Sequence, residues 1–336
     1  MNTIVYAENG IYAGWPANHG AWQWGDEFLV GFLRGKYKSK SMHNIVEPFE
    51  KVLGRSLDGG ETWNIEIPNV DFECHGNQIP SEAPEFDLEK SIIRVCGVYD
   101  HGGDECYEPG GFYLSHDRGH VWSGPYRFSG LEHQYEYSKD FINTSRTRVL
   151  GNMVFMSYAD RLMWGSDSTF CAIHDGKNFK FIASVIDDGD RAVMPAVAKV
   201  GSRIIVVMRR RGKGKMEGWI DACISENDGY SWRKAGQVGI TGGRNGNPPA
   251  LIALTDGRLV CCYANRDFGS IVASVSSDGG ETWSNQLVRD GDGDFLDIGY
   301  PQLFMRADGV PVCVYYWSDR QRRHQHIVGT TLECVL

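Results

Sequence analysis

Short apolar runs recur along the chain, and a polar turn precedes each. Phe28-Leu29-Val30 follows Gly25-Asp26-Glu27, and Ile204-Ile205-Val206-Val207 follows Gly201-Ser202. Leu259-Val260 follows Asp256-Gly257, and Val312-Cys313-Val314 follows Asp308-Gly309. Runs this short, bounded by turn residues, read as buried strands. Upstream of each stands a proline phrase: Trp15-Pro16-Ala17, Met194-Pro195-Ala196, Pro248-Pro249-Ala250 and Tyr300-Pro301-Gln302. Proline suits the first residue of a strand, where no ladder donor is needed. Each phrase therefore marks the head of an inner strand, and residues beside the proline are expected to face a shared pocket.

A second pattern punctuates the first. Ser56-Leu57-Asp58-Gly59-Gly60-Glu61-Thr62-Trp63 returns as Ser276-Ser277-Asp278-Gly279-Gly280-Glu281-Thr282-Trp283. Looser copies begin at Ser115, ending in Trp122, and at Ser225, ending in Trp232. Asp-Gly and Gly-Gly between strand-like runs are hairpin chemistry, and the closing Trp is expected to pack the turn against its own sheet. These aspartates are therefore read as structural. The spacing is roughly 50–60 residues, with one gap of double length that Ile173-His174-Asp175-Gly176-Lys177-Asn178-Phe179 fills as a worn copy. A sixth unit fits from Asp297 onward. Six units of short strands predict an all-β fold: a six-bladed β-propeller with four-stranded antiparallel blades, one domain over residues 1–336. Ile4 to Tyr12 reads as a strand that completes the last blade beside His326 to Leu332 and closes the ring.

Composition narrows the partners. The net charge of −9 predicts no broad nucleic-acid footprint. The basic run Arg209-Arg210-Arg211-Gly212-Lys213-Gly214-Lys215 reads as a strand end plus a solvated loop. Nine cysteines without a Cys-x-x-Cys pair give no zinc spacing, and most read as small core residues. No cofactor or metal is expected. Asp290-Gly291-Asp292-Gly293-Asp294 lacks the bidentate Glu of a calcium loop and reads as an exposed acidic turn. The first residues carry neither a basic region nor a long apolar run, so no membrane partner is expected and the default is a cytoplasmic protein. A secreted chain trimmed of its leader would read the same way.

The turn motif resembles the Asp-box, or BNR repeat, and the whole chain is similar to the sialidase (neuraminidase) superfamily of six-bladed propellers. That resemblance implies three arginines that clamp a carboxylate, a tyrosine nucleophile assisted by a glutamate, and an aspartic acid on a first-blade loop. Tyr300 matches the tyrosine, at the head of the sixth inner strand. Arg209 ends the phrase Val206-Val207-Met208-Arg209, and Arg266 stands in Asn265-Arg266-Asp267-Phe268-Gly269, where the family keeps two of its arginines. Three positions depart. Gly14-Trp15-Pro16 replaces the first arginine. Ala192-Val193-Met194-Pro195 offers no glutamate. The first-blade loop carries His43 and Glu47 but no aspartate.

The candidate catalytic residues are thus Tyr300 and His43, with Arg209, Arg266, Asn247 and Arg146 (or Arg148) binding substrate. A pair of guanidiniums suits an anionic ligand, and histidine titrates near neutrality as acid or base. The expected activity is an exo-glycosidase acting on an acidic sugar. Two alternatives stay open: a uronate lyase using His43 and Tyr300, and a non-catalytic glycan-binding propeller. Longer segments at Gly35 to Val52, Asp71 to Lys90, His101 to Gly111 and Leu131 to Asp140 are expected to form the rim. His19, His75, Glu82, Asp100 and His101 are further residues within reach of it.

Overall fold

The computed structural model describes residues 2–40, 43–73, 81–96, 111–131, 141–159, 168–212, 216–243, 246–290, 293, 297–319 and 323–333, with backbone alone at 141–146 and 158–159. The chain forms a six-bladed β-propeller. Blade 1 comprises β2 (Ile11–Gly14), β3 (Ala21–Trp24), β4 (Glu27–Tyr37), β5 (Ile45–Ser56) and β6 (Asn64–Glu66), with β2 and β3 both pairing β4. Blade 2 shows β7 (Ile92–Cys96), β8 (Gly111–Ser115) and β9 (Ser123–Tyr126) among the described residues. Blade 3 runs β10 (Phe141–Leu150), β11 (Met153–Ala159), β12 (Ser168–His174) and β13 (Phe179–Ile186). Blade 4 runs β14 (Arg191–Val200), β15 (Arg203–Arg211), β16 (Gly218–Ser225) and β17 (Arg233–Gly242). Blade 5 runs β18 (Ala250–Ala253), β19 (Leu259–Asn265), β20 (Ser270–Ser276) and β21 (Ser284–Arg289).

Blade 6 takes β22 (Gly299–Met305), β23 (Pro311–Trp317) and β24 (His326–Thr331) from the C-terminal end and β1 (Asn2–Tyr6) from the start of the chain. β1 pairs antiparallel with β24, Asn2 opposite Thr330 and Ile4 opposite Val328. The first strand is shorter than its apolar pattern suggests. Asn9-Gly10 turns the chain, with Gly10 at φ 79°, and Ile11 and Tyr12 belong to blade 1.

Each blade is apolar on both faces, which is why the ring is stable. Six buried clusters lie between neighbouring pairs of blades. Side chains on a strand alternate between faces. Leu259, Cys261 and Tyr263 of β19 accordingly pack toward blade 4, while Val260, Cys262 and Ala264 pack toward blade 6. Cys171, Cys223, Cys261, Cys262 and Cys313 are buried thiols, whereas Cys96 is disulfide-bonded.

The repeated turn joins the third and fourth strands of a blade. In the first copy Ser56 Oγ donates to Asp58 Oδ1 at 2.8 Å and accepts from Gly60 N at 2.8 Å. Asp58 also accepts from the backbone of Glu61 and Thr62 and from the Thr62 hydroxyl. Trp63 Nε1 closes the turn on Gly60 O at 3.0 Å. Trp122, Trp232 and Trp283 make the same bond to Gly119, Gly229 and Gly280. In the worn copy Asp175 accepts from the backbone of Lys177 and Asn178. Gly59 sits against Arg306 and Asp26, in the hairpins that end the inner strands. The turns therefore crowd the face of the ring opposite the strand heads.

One sequence expectation is revised. The span from Gly35 to Val52 is mostly strand, because β4 and β5 continue as one long hairpin whose tip carries His43. The basic run begins in the end of β15, as expected, where Arg210 is fully buried and its guanidinium meets Asp188 at 2.5 Å and Asp221 at 3.3 Å. Lys213, Gly214 and Lys215 lie outside the described residues, as do His75, Asp100, His101, residues 102–110, residues 132–140, and Gly291, Asp292 and Asp294 of the acidic turn.

Candidate active site

The strand heads share an unusual backbone. Trp15, Met194 and Tyr300, each immediately before a proline, have φ of 57°, 57° and 50°. The residue before a proline is ordinarily extended, and a bulky side chain in the left-handed region costs about 1–2 kcal/mol. The ladder slips at two of these places, between Val193 and Ala196 and between Gly299 and Gln302. Met194 of blade 4 shares one apolar cluster with Trp15, Tyr300 and Tyr316 of blades 1 and 6. Blade 4 stands across the ring from blade 1, so these side chains meet on the axis. The local strain is offset by that packing.

Around this apolar floor stand the polar groups. Arg209 Nη1 lies 3.4 Å from the Tyr300 hydroxyl and 3.6 Å from Met194 Sδ. The Arg266 guanidinium sits 5.7 Å from the Tyr300 ring centre, and its Nη2 donates to the Tyr316 hydroxyl at 3.4 Å and to the Ile298 carbonyl at 3.5 Å. Asn247 does not reach toward a ligand. Its Oδ1 accepts from the backbone N–H of Tyr300 at 3.1 Å and of Ala264 at 3.3 Å, and its Nδ2 donates to Ile298 O at 3.0 Å. It is fully buried and holds the Tyr300 backbone in place. The substrate-binding expectation for Asn247 therefore becomes a positioning one, because these three bonds all go to main chain.

His43 comes to the same place from the β4–β5 hairpin. Its ring packs edge-on to Trp15 at 5.1 Å, and Nδ1 lies 3.6 Å from Asp297 Oδ1, ion-pair range but long for a hydrogen bond. Asp297 is buried and accepts from Tyr316 at 2.7 Å and from Tyr12 at 2.9 Å. Burial alone would raise its carboxyl; the His43 contact, the Tyr316 bond and the Arg266 charge together carry it below the ordinary aspartate range. The same network holds Tyr12 and Tyr316 well above an ordinary phenol, through burial first and the Asp297 charge second. Burial pushes Arg209 down to about 10, with Tyr300 opposing and Arg191 and Arg266 adding to the fall.

The remaining candidates divide. Arg146 has only its backbone described, within β10; its neighbour Arg148 reaches Gln302. Glu47 is exposed on β5. His19 is buried, with Nδ1 2.9 Å from the guanidinium of Arg94, which stacks 3.6 Å from the Phe72 ring centre. Glu82 pairs with Arg127 at the surface.

No protein-family model matches the sequence, and a search of curated proteins gives no match. Solved structures do match. A Dyadobacter fermentans protein of unknown function aligns with TM-score 0.72 at 19% identity, over 98% of this chain and 97% of that one. A Hadza microbial sialidase aligns with TM-score 0.60 at 14% identity, over 97% of this chain and 66% of that one. An alpha-L-arabinanase of Penicillium chrysogenum, solved with arabinobiose, aligns with TM-score 0.59 at 14% identity, over 100% and 99%. The six-bladed propeller fold is shared with these structures. Several of these neighbours carry glycoside hydrolase names, at identities that speak to fold alone.

The residue most conspicuously missed in the sequence is Asp297. It stands three positions before Tyr300, which was a usable signal. Its partner Tyr12, however, is 285 residues away in the chain, so no local pattern joins them. Arg148 was visible only as one of two alternatives.

Proposed function

We propose that the protein is a carbohydrate-active hydrolase, an exo-glycosidase of sialidase-like type that takes an acidic sugar at the propeller axis. The observation that carries this is the meeting of Tyr300 with Arg209 and Arg266, beside the His43–Asp297 pair, at the strand-head end of the ring. Two guanidiniums supply planar donors for a carboxylate, and Tyr300, between them, is the nucleophile: its oxygen bonds the anomeric carbon as the glycosidic C–O bond breaks, its phenol proton leaves to solvent, and water then cleaves the tyrosine–sugar bond and restores the phenol. His43 acts as the acid that protonates the leaving oxygen. Asp297, braced by Tyr12 and Tyr316, faces its Nδ1 at 3.6 Å and orients the ring. Met194 stands where a sialidase would be expected to keep its glutamate, so Tyr300 works beside a cation instead of a carboxylate.

The neighbours' names support a glycosidase and leave the sugar open, since one is a sialidase and another an arabinanase. A panel of chromogenic sialosides, glucuronides, galacturonides and arabinofuranosides, read by released aglycone, tests the reading. Turnover of an acidic glycoside that Tyr300→Phe and His43→Gln each abolish is the expected result. Turnover confined to neutral arabinofuranosides refutes the acidic-sugar part.

The His43–Asp297 pair also favours a second reading, proton abstraction beside a uronate carboxylate with β-elimination. An ultraviolet-absorbing unsaturated product would support that lyase, and a new reducing end without such absorbance would exclude it.

A further inference from the structure

One cation at the axis takes no part in the chemistry above. Arg148 of β10 is half-buried, and its Nη2 donates to Oε1 of Gln302. Gln302 Nε2 in turn donates to the Pro16 carbonyl at 2.8 Å. Among the described residues no carboxylate forms an ion pair with Arg148, and burial alone pushes it down to about 10. A guanidinium removed from water without a counter-charge is costly, so such groups are ordinarily paired.

An independent observation sits in the same turn. Pro16 opens the short 3-10 segment Pro16–Asn18, which packs on β22 of blade 6 and on β10 of blade 3. Asn18, at its end, is 6% exposed, yet neither its Oδ1 nor its Nδ2 has a hydrogen-bond partner among the described residues. A buried carboxamide left unmatched is costly, and such groups are usually answered by a ligand or water.

We propose that Arg148, Gln302 and Asn18 form a second anion-binding subsite on the axis, separate from Arg209 and Arg266, that takes a carboxylate or sulfate ester of a sugar. Gln302 fixes one edge of the guanidinium and leaves its other N–H groups for the anion. Asn18 donates to or accepts from a hydroxyl beside the acidic group. The inference rests on the reading that the axis binds an acidic carbohydrate.

The test is calorimetric titration of the full chain with glucuronate, N-acetylneuraminate, glucose 6-sulfate and neutral glucose. Arg148→Gln should weaken the anionic sugars by at least about tenfold. Asn18→Asp puts a negative charge of nearly the same shape in the Pro16–Asn18 turn. It should weaken the anionic sugars while leaving neutral glucose unchanged, a charge-specific loss that a purely structural Asn18 would not give. If both variants bind the anionic sugars as the parent does while Arg209→Gln loses them, the subsite is refuted and the acidic-sugar reading survives. If anionic sugars bind through Arg148 but no acidic glycoside is cleaved, the subsite stands and the hydrolase falls. If the parent binds no anionic sugar, both fall. Should Arg148→Gln fail to fold, Asn18→Asp alone decides. The uronate and sulfate arms distinguish the two anions.

Discussion

Replacing Asp297 by Asn removes one charge at nearly constant volume from the best-connected carboxylate at the axis. Tyr316 and Tyr12 donate to its two different oxygens at 2.7 and 2.9 Å. The amide keeps one acceptor, so one phenol must turn or lose its bond, and the other drops from a charged to a neutral partner. A hydrogen bond to a charged group contributes about 1.5–3 kcal/mol and a neutral one about 0.5–1.5, so the two changes together cost about 2–4 kcal/mol. Arg266 and His43 also lose their nearest negative charge, while the desolvation of the carboxylate is relieved, and these act in opposite directions.

The measurement is urea unfolding followed by tryptophan fluorescence for the parent, Asp297→Asn, Tyr316→Phe and the double variant. A coupling energy of about 1–2 kcal/mol between the two sites is expected. The sign with pH follows from the depressed carboxyl. A group whose folded pKa lies below its unfolded one stabilises fully above the unfolded value and loses that contribution as pH falls through the folded one. The gap between parent and Asp297→Asn should therefore be full near neutrality and shrink below about pH 4. A gap that is absent at neutral pH, or that stays constant into acid, would refute the reasoning.

Other consequences can be checked in parallel. Tyr300→Phe should abolish turnover while leaving the melting temperature unchanged; a melting shift of several degrees would instead mark the hydroxyl as structural. Arg210→Met strips Asp221 of one of its two cations, leaving Lys234 at 2.7 Å, and should destabilise the fold by about 3–5 kcal/mol; an unchanged denaturation midpoint would sink the claim. Asp58→Ala opens a turn on the far face of the ring, and with solvent screening should cost about 1–2 kcal/mol, visible in thermal melting, without altering kcat. Asp58 and Asp278 lie at about 2, through bonds from Thr62 and Thr282 that outweigh what desolvation there is, so this stabilisation holds above the ordinary aspartate range and is lost as pH falls toward 2.

The repeat and the proline phrases were enough to give the blade count and the strand heads that meet at the axis. Those features are local: a turn motif needs only its own eight residues, and a strand head only its proline and the apolar run that follows. Tyr300, Arg209 and Arg266 were singled out through the family resemblance, since each sits at the matching place in its blade. The tertiary structure alone decided that Asn247 braces the Tyr300 backbone, that His43 finds its carboxylate in Asp297, and that Arg148 shares Gln302 with the first-blade turn. A propeller closes by joining its two ends, so groups nearly three hundred residues apart, such as Tyr12 and Asp297, become partners across blades 1 and 6. Pairings of that kind are made by ring closure, and a one-dimensional pattern contains no trace of them.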